Sequence, residues 1–199
     1  MIEPTEANLR TEEEAGCATF NERDVEMWRT HGYCLVNGVF PDDLLLQAKS
    51  DALSKFPKAG SPEARLMNDF GGGAMTFPSI FNSINQIALH SRLIRGVSQL
   101  LGIPISELRM TQAEMWPKYG KEEGELLSEF DNQDQRIHVD YPNHTLTHPP
   151  TWNEPDAVEF ILYLDNETEC GGATAVVPRL GEEDPAYIYQ SSRHPVLAI

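Results

Sequence analysis

An imidazole and a carboxylate stand one residue apart in His138-Val139-Asp140, within the run Gln135-Arg136-Ile137-His138-Val139-Asp140-Tyr141. In an extended strand, side chains at i and i+2 point to the same face. On a strand, the pair can therefore grip one metal from one side. That is two-thirds of a 2-His-1-carboxylate facial triad, the donor set that leaves open positions on non-heme Fe(II). Alone, an H-x-D tripeptide is a weak signal, because a strand-edge His beside a solvated Asp reads the same way. The sequence on both sides gives it value.

Helical patterns come first and short strand patterns later. Asn21 suits the N-cap of a helix running through Thr30, and Gly32 suits the position just past its end. Tyr33 to Val36 then read as a strand. Pro41 fits the first turn of a second helix, whose apolar Leu44, Leu45, Ala48 and Ala52 share one face. Pro57 to Pro78 is a long irregular stretch, either a lid or a surface excursion. Ile84 to Leu101 reads as one helix with Leu93, Ile94, Val97 and Leu101 on one side and Gly102 as its stop. Leu108 to Trp116 alternates as a strand, and the polar, acidic 118–135 segment reads as a solvated loop. Ile137 to Tyr141 is the metal-bearing strand. Ala157 to Leu164 and Ala173 to Val177 read as an antiparallel pair joined through Gly171-Gly172. The order of elements predicts an α+β fold.

The succession Arg109-Met110-Thr111-Gln112-Ala113-Glu114-Met115-Trp116, His138-Val139-Asp140, Ile161-Leu162-Tyr163-Leu164-Asp165 and Gly171-Gly172-Ala173-Thr174-Ala175-Val176-Val177-Pro178 resembles the phytanoyl-CoA dioxygenase family of Fe(II)/2-oxoglutarate oxygenases. Val25-Glu26-Met27-Trp28-Arg29-Thr30-His31-Gly32-Tyr33 also looks like that family's opening helix and first strand, so the resemblance covers roughly residues 21–180. It implies a double-stranded β-helix (jelly roll, cupin-like) with N-terminal helices packed outside. It also implies Fe(II) as cofactor, 2-oxoglutarate as cosubstrate, and O2 and a small organic molecule as reactants. His138 and Asp140 would be metal ligands and catalytic residues. A carboxylate at 140, where related halogenases carry a small residue, favours hydroxylation. Gln112 would contact the cosubstrate, or else face outward as an ordinary polar residue. Thr174 would reach the cosubstrate, or else simply suit a strand. The family's Gly-Ser-His after Val-Pro is here Arg179-Leu180-Gly181, which marks a divergent subgroup and makes phytanoyl-CoA itself a poor candidate substrate. The competing reading is a non-catalytic jelly-roll protein that binds a ligand without turnover.

Composition narrows the partners. The 199 residues suffice for one domain with a sizeable core. A net charge of −16 argues against nucleic acid and anionic membrane surfaces, which reward Lys and Arg. Glu3, Glu6 and Glu12 to Glu14 make residues 1–20 an acidic tail of the disordered type, ahead of a domain spanning 21–199. Cys17, Cys34 and Cys170 form no C-x-x-C, which suits a reducing compartment such as the cytoplasm. No apolar stretch approaches the ~20 residues a membrane helix needs, and no secretory signal is visible.

Two further histidines, His144 and His148, invite a zinc reading with His138. They lie in a Pro-punctuated loop without the fixed spacing that orients ligands, so they fit the site entrance or solvent better. The triad's distal His and the Arg that pairs with the 2-oxoglutarate carboxylate are harder to find. His194 is the sole His far enough along, but Pro195 follows it and no Arg comes after. The expectation is that the catalytic unit is incomplete at its C-terminal end.

Overall fold

The computed structural model describes residues 20–67, 73–119, 157–166, 174–180 and 197–198. Among the described residues, four α-helices fall in the N-terminal half. They are α1 (Glu22–His31), α2 (Asp42–Lys55), α3 (Asn82–Ala88) and α4 (Ser91–Leu101). Four two-residue strands form two antiparallel pairs. Strand β1 (Met75–Thr76) pairs with β2 (Glu114–Met115), and β3 (Ala175–Val176) pairs with β4 (Leu197–Ala198). No helix among the described residues is long and apolar enough to cross a membrane.

Helix ends follow local chemistry. At α1 the Asn21 side chain accepts from the Asp24 amide and the Asp24 carboxylate accepts from the Asn21 amide, each at 3.0 Å. This reciprocal capping box satisfies two amides that the helix itself leaves orphaned. Gly32 closes α1 at φ 81°, a left-handed conformation that glycine adopts without a Cβ clash. Pro41 sits at the N-cap of α2, one residue ahead of the first turn expected for it.

Burial explains why the helices pack. Ala48 of α2 is fully buried, and Leu44, Leu45 and Ala52 lie against the same core as Phe20, Val39, Phe40, Ile84, Ile87, Leu93 and Leu100. Ser83 of α3 donates to the Asp51 carboxylate of α2 at 2.5 Å, so a short polar bond ties the two helices beside their apolar contact. Phe20 and Val25 occupy the two positions of a hydrophobic staple around the α1 N-terminus. The Phe20 ring lies over Gly96 of α4, where a methyl group would come within 2.5 Å of ring carbon. Gly96→Ala therefore sets about 1 kcal/mol of helix-propensity gain against an overpacking cost of ~1–3 kcal/mol. Phe20 is buried and cannot swing out freely, so the expected result is net destabilisation, read as a lower denaturation midpoint in urea.

Several elements differ from the sequence reading. The 84–101 helix is broken at Leu89 and His90, with His90 extended at φ −64° and ψ 132°. In one straight helix, nine residues at ~100° each would put Leu93 about 180° from Ile84. The break lets both turn toward the same core. Of the 108–116 strand only β2 forms, preceded by a 3-10 turn at Ile105–Glu107. Tyr33 to Val36 make no ladder among the described residues. Residues 157–164 do not pair with β3, whose partner is β4. Strand pairing depends on partners remote in sequence, so local alternation predicts it poorly. Part of the long excursion between Pro57 and Pro78 is strand, since β1 lies within it and Phe77 donates its amide to the Ala113 carbonyl at 2.9 Å.

Candidate metal and cosubstrate site

The candidate ligands His138 and Asp140 lie outside the described residues, as do His144, His148 and His194. Among the described residues, no group of three or more His, Cys, Asp or Glu side chains is placed to hold a metal ion. The two candidate cosubstrate contacts are described, and each lies just ahead of a strand of a different antiparallel pair. Gln112 leads into β2. The alternation expected there is present: Ala113 and Met115 are half-buried while Gln112 and Glu114 are exposed. The Gln112 carboxamide therefore stands exposed to solvent, on the same face as Glu114. Its carboxamide offers both donors and an acceptor to any ligand on that face.

Thr174 immediately precedes β3 and is half-buried, with its hydroxyl hydrogen-bonded to the phenol of Tyr163. This contact brings the 157–166 segment beside β3 even though no backbone ladder joins them. Burial alternates over 161–164, with Leu162 and Leu164 half-buried and Ile161 and Tyr163 exposed. Val158, Leu162 and Leu164 pack against the helical core, and the Phe160 ring meets Phe40 edge-on at 5.8 Å between centroids. The intervening Ile161 and Tyr163 lie on the opposite side, 50% and 37% exposed. Asp165, at the end of the run, forms an ion pair with Lys49 of α2 at 2.6 Å. Both partners keep substantial solvent access, 40% for Lys49 and 62% for Asp165, so this pair adds little stability.

Beyond β3 the chain turns onto the end of α1. The Arg179 amide donates to the His31 carbonyl at 2.9 Å, and the Arg179 carbonyl lies 3.1 Å from His31 Nδ1, which must carry the proton because a carbonyl only accepts. The guanidinium donates through Nη2 to the Arg29 carbonyl, and its methylene stem packs over Gly32. Sequence reasoning missed Arg179 and Tyr163 as interaction centres. Arg179 left one visible trace, the replacement of Gly-Ser-His by Arg179-Leu180-Gly181.

Burial, followed by the nearby Asp24 carboxylate, pushes the Cys34 thiol from its ordinary 9.0 up to about 11. Burial also raises the Tyr119 phenol, which donates to the Pro57 carbonyl at 2.5 Å. Because folded Cys34 holds its proton more tightly than the unfolded chain does, its favourable effect on stability is complete below pH 9.0 and fades as pH rises toward about 11. At pH 8 the low thiolate fraction outweighs the higher nucleophilicity of a high-pKa thiol. With Cys17 and Cys170 changed to Ser, iodoacetamide should label the folded chain at least ~10-fold more slowly than the urea-unfolded chain.

No family model, curated protein or solved structure matches the chain.

Proposed function

We propose that the protein is a non-heme Fe(II)/2-oxoglutarate-dependent oxygenase that hydroxylates a small organic substrate, built on a double-stranded β-helix. The observation that carries this reading is His138-Val139-Asp140, set between the Arg109–Trp116 run and the Ile161–Asp165 and Gly171–Pro178 runs. The donor chemistry fits the metal: a neutral imidazole and a carboxylate suit Fe(II), and two protein ligands of this type leave coordination positions for other molecules. When bound, Fe(II) and 2-oxoglutarate couple O2 reduction to oxidative decarboxylation, giving succinate and CO2 and one oxygen atom for the substrate.

The chain's own residues orient and shield. His138 and Asp140 would hold the metal, as an imidazole and a carboxylate one residue apart in sequence. Thr174 offers a hydroxyl proton to a carboxylate of 2-oxoglutarate, and Gln112 an amide donor, each a hydrogen bond to a charged acceptor. With Asp140 as a ligand, its carboxylate would take the place that a halide would need, which favours hydroxylation.

The test is succinate formation by the full-length protein, loaded anaerobically with Fe(II) and 2-oxoglutarate and then given O2. Succinate should appear with Fe(II) and not with Zn(II). Absence of both Fe(II)-dependent succinate and 2-oxoglutarate binding would leave the reading without support.

A further inference from the structure

We propose that Tyr163 is the positioning residue of the cosubstrate site: its phenol donates to Thr174 and so aims the single Thr174 hydroxyl proton at a carboxylate of 2-oxoglutarate. The inference rests on the oxygenase reading and extends it to a residue outside the metal motif.

Three observations meet here. First, the 157–164 run is two-sided. Val158, Leu162 and Leu164 are taken up by the helical core, which leaves Tyr163 and Ile161 on the side away from the helices. Second, the Tyr163 phenol and the Thr174 hydroxyl are hydrogen-bonded to each other across eleven residues of sequence. Third, proton counting fixes the direction of that bond once a ligand is present. A threonine hydroxyl has one proton and two lone pairs. A carboxylate of 2-oxoglutarate only accepts, so Thr174 must spend its proton on the ligand. Tyr163 must then be the donor to Thr174. With Tyr163 in place, the Thr174 oxygen already accepts one bond and its proton is free to be directed outward. Without it, the hydroxyl turns toward whichever acceptor is nearest.

The polarity of the relay suits an anion. Each O–H dipole points toward the carboxylate, and hydrogen bonds in a chain polarise one another. Folding has little need of the same contact, because Tyr163 is partly exposed and water could serve both hydroxyls. Its value is therefore expected in ligand binding more than in stability.

The experiment measures 2-oxoglutarate affinity by calorimetry, on full-length protein loaded with Fe(II) under anaerobic conditions. Tyr163→Phe and Thr174→Val should each weaken binding by ~5–10-fold, the size of one lost hydrogen bond to a charged group. The double variant should bind no more weakly than Thr174→Val alone, because the two act in series. Thr174→Ser should restore near-wild-type affinity by keeping the hydroxyl. In turnover, Tyr163→Phe should raise KM for 2-oxoglutarate with kcat nearly unchanged, at an unaltered unfolding midpoint. Wild-type affinity in Tyr163→Phe, or additive losses in the double variant, would overturn the relay while leaving the oxygenase reading intact. If the wild-type protein itself binds no 2-oxoglutarate, both fall together.

Discussion

Asp140→Ala in the full-length protein should reduce Fe(II)-dependent succinate formation by more than about 100-fold, since even residues that merely support a metal ligand cost 10–100-fold when lost. The carboxylate contributes the one negative charge of the proposed protein ligand set, and its loss both loosens the cation and frees a coordination position for water. His138→Ala should behave alike. His144→Ala and His148→Ala, in the Pro-punctuated segment behind the motif, should leave turnover within about twofold, as expected of side chains that bind no metal. Iron content measured after anaerobic desalting separates the two classes directly. Equal losses across all four variants would point to a His-rich site of another kind. An Asp140→Ala protein that retained iron and turnover would remove Asp140 from the metal altogether.

What the sequence disclosed depended on how local the physics was. The bounds of α1 and the stop of α4 were readable because Asn21, Asp24, Gly32 and Gly102 act on amides and carbonyls within one turn of themselves. The inward face of α2 was readable because Leu44, Leu45, Ala48 and Ala52 recur at helical spacing. The break at Leu89 and His90 was not readable. No Gly or Pro marks it, and its cause is tertiary, the need to turn Ile84 and Leu93 onto one core. The alternation over 112–115 correctly put Gln112 and Glu114 on one face, yet local pattern could not say which strand would lie beside which. For the candidate site, His138-Val139-Asp140 can be read from sequence as a proposal because the two side chains lie within one tripeptide, and it falls outside the described residues. Tyr163 was invisible as a partner of Thr174, since their contact exists only once two distant segments come together.

The same distinction sets the second large effect, at Arg179. Arg179→Ala should destabilise the fold by about 2–4 kcal/mol, from the loss of a charged hydrogen bond and of buried methylene packing. The side chain is 6% exposed, and it donates to the Arg29 carbonyl in the last turn of α1. Those last carbonyls have no partner within the helix and carry its negative dipole end, so a guanidinium there is favoured on both counts. Its stem also covers Gly32, whose left-handed backbone closes the helix. The backbone bond from the Arg179 amide to the His31 carbonyl survives the substitution, which separates side chain from main chain. His31→Ala removes only the ring bond to the Arg179 carbonyl and should cost about 1 kcal/mol. Arg179→Lys should fall between, since an ammonium keeps the charge but lacks the planar fork. Urea unfolding of the three variants gives the order directly. If Arg179→Ala were no worse than His31→Ala, the side-chain lock would carry no weight, and the backbone pairing alone would hold the end of the Thr174-bearing segment against α1.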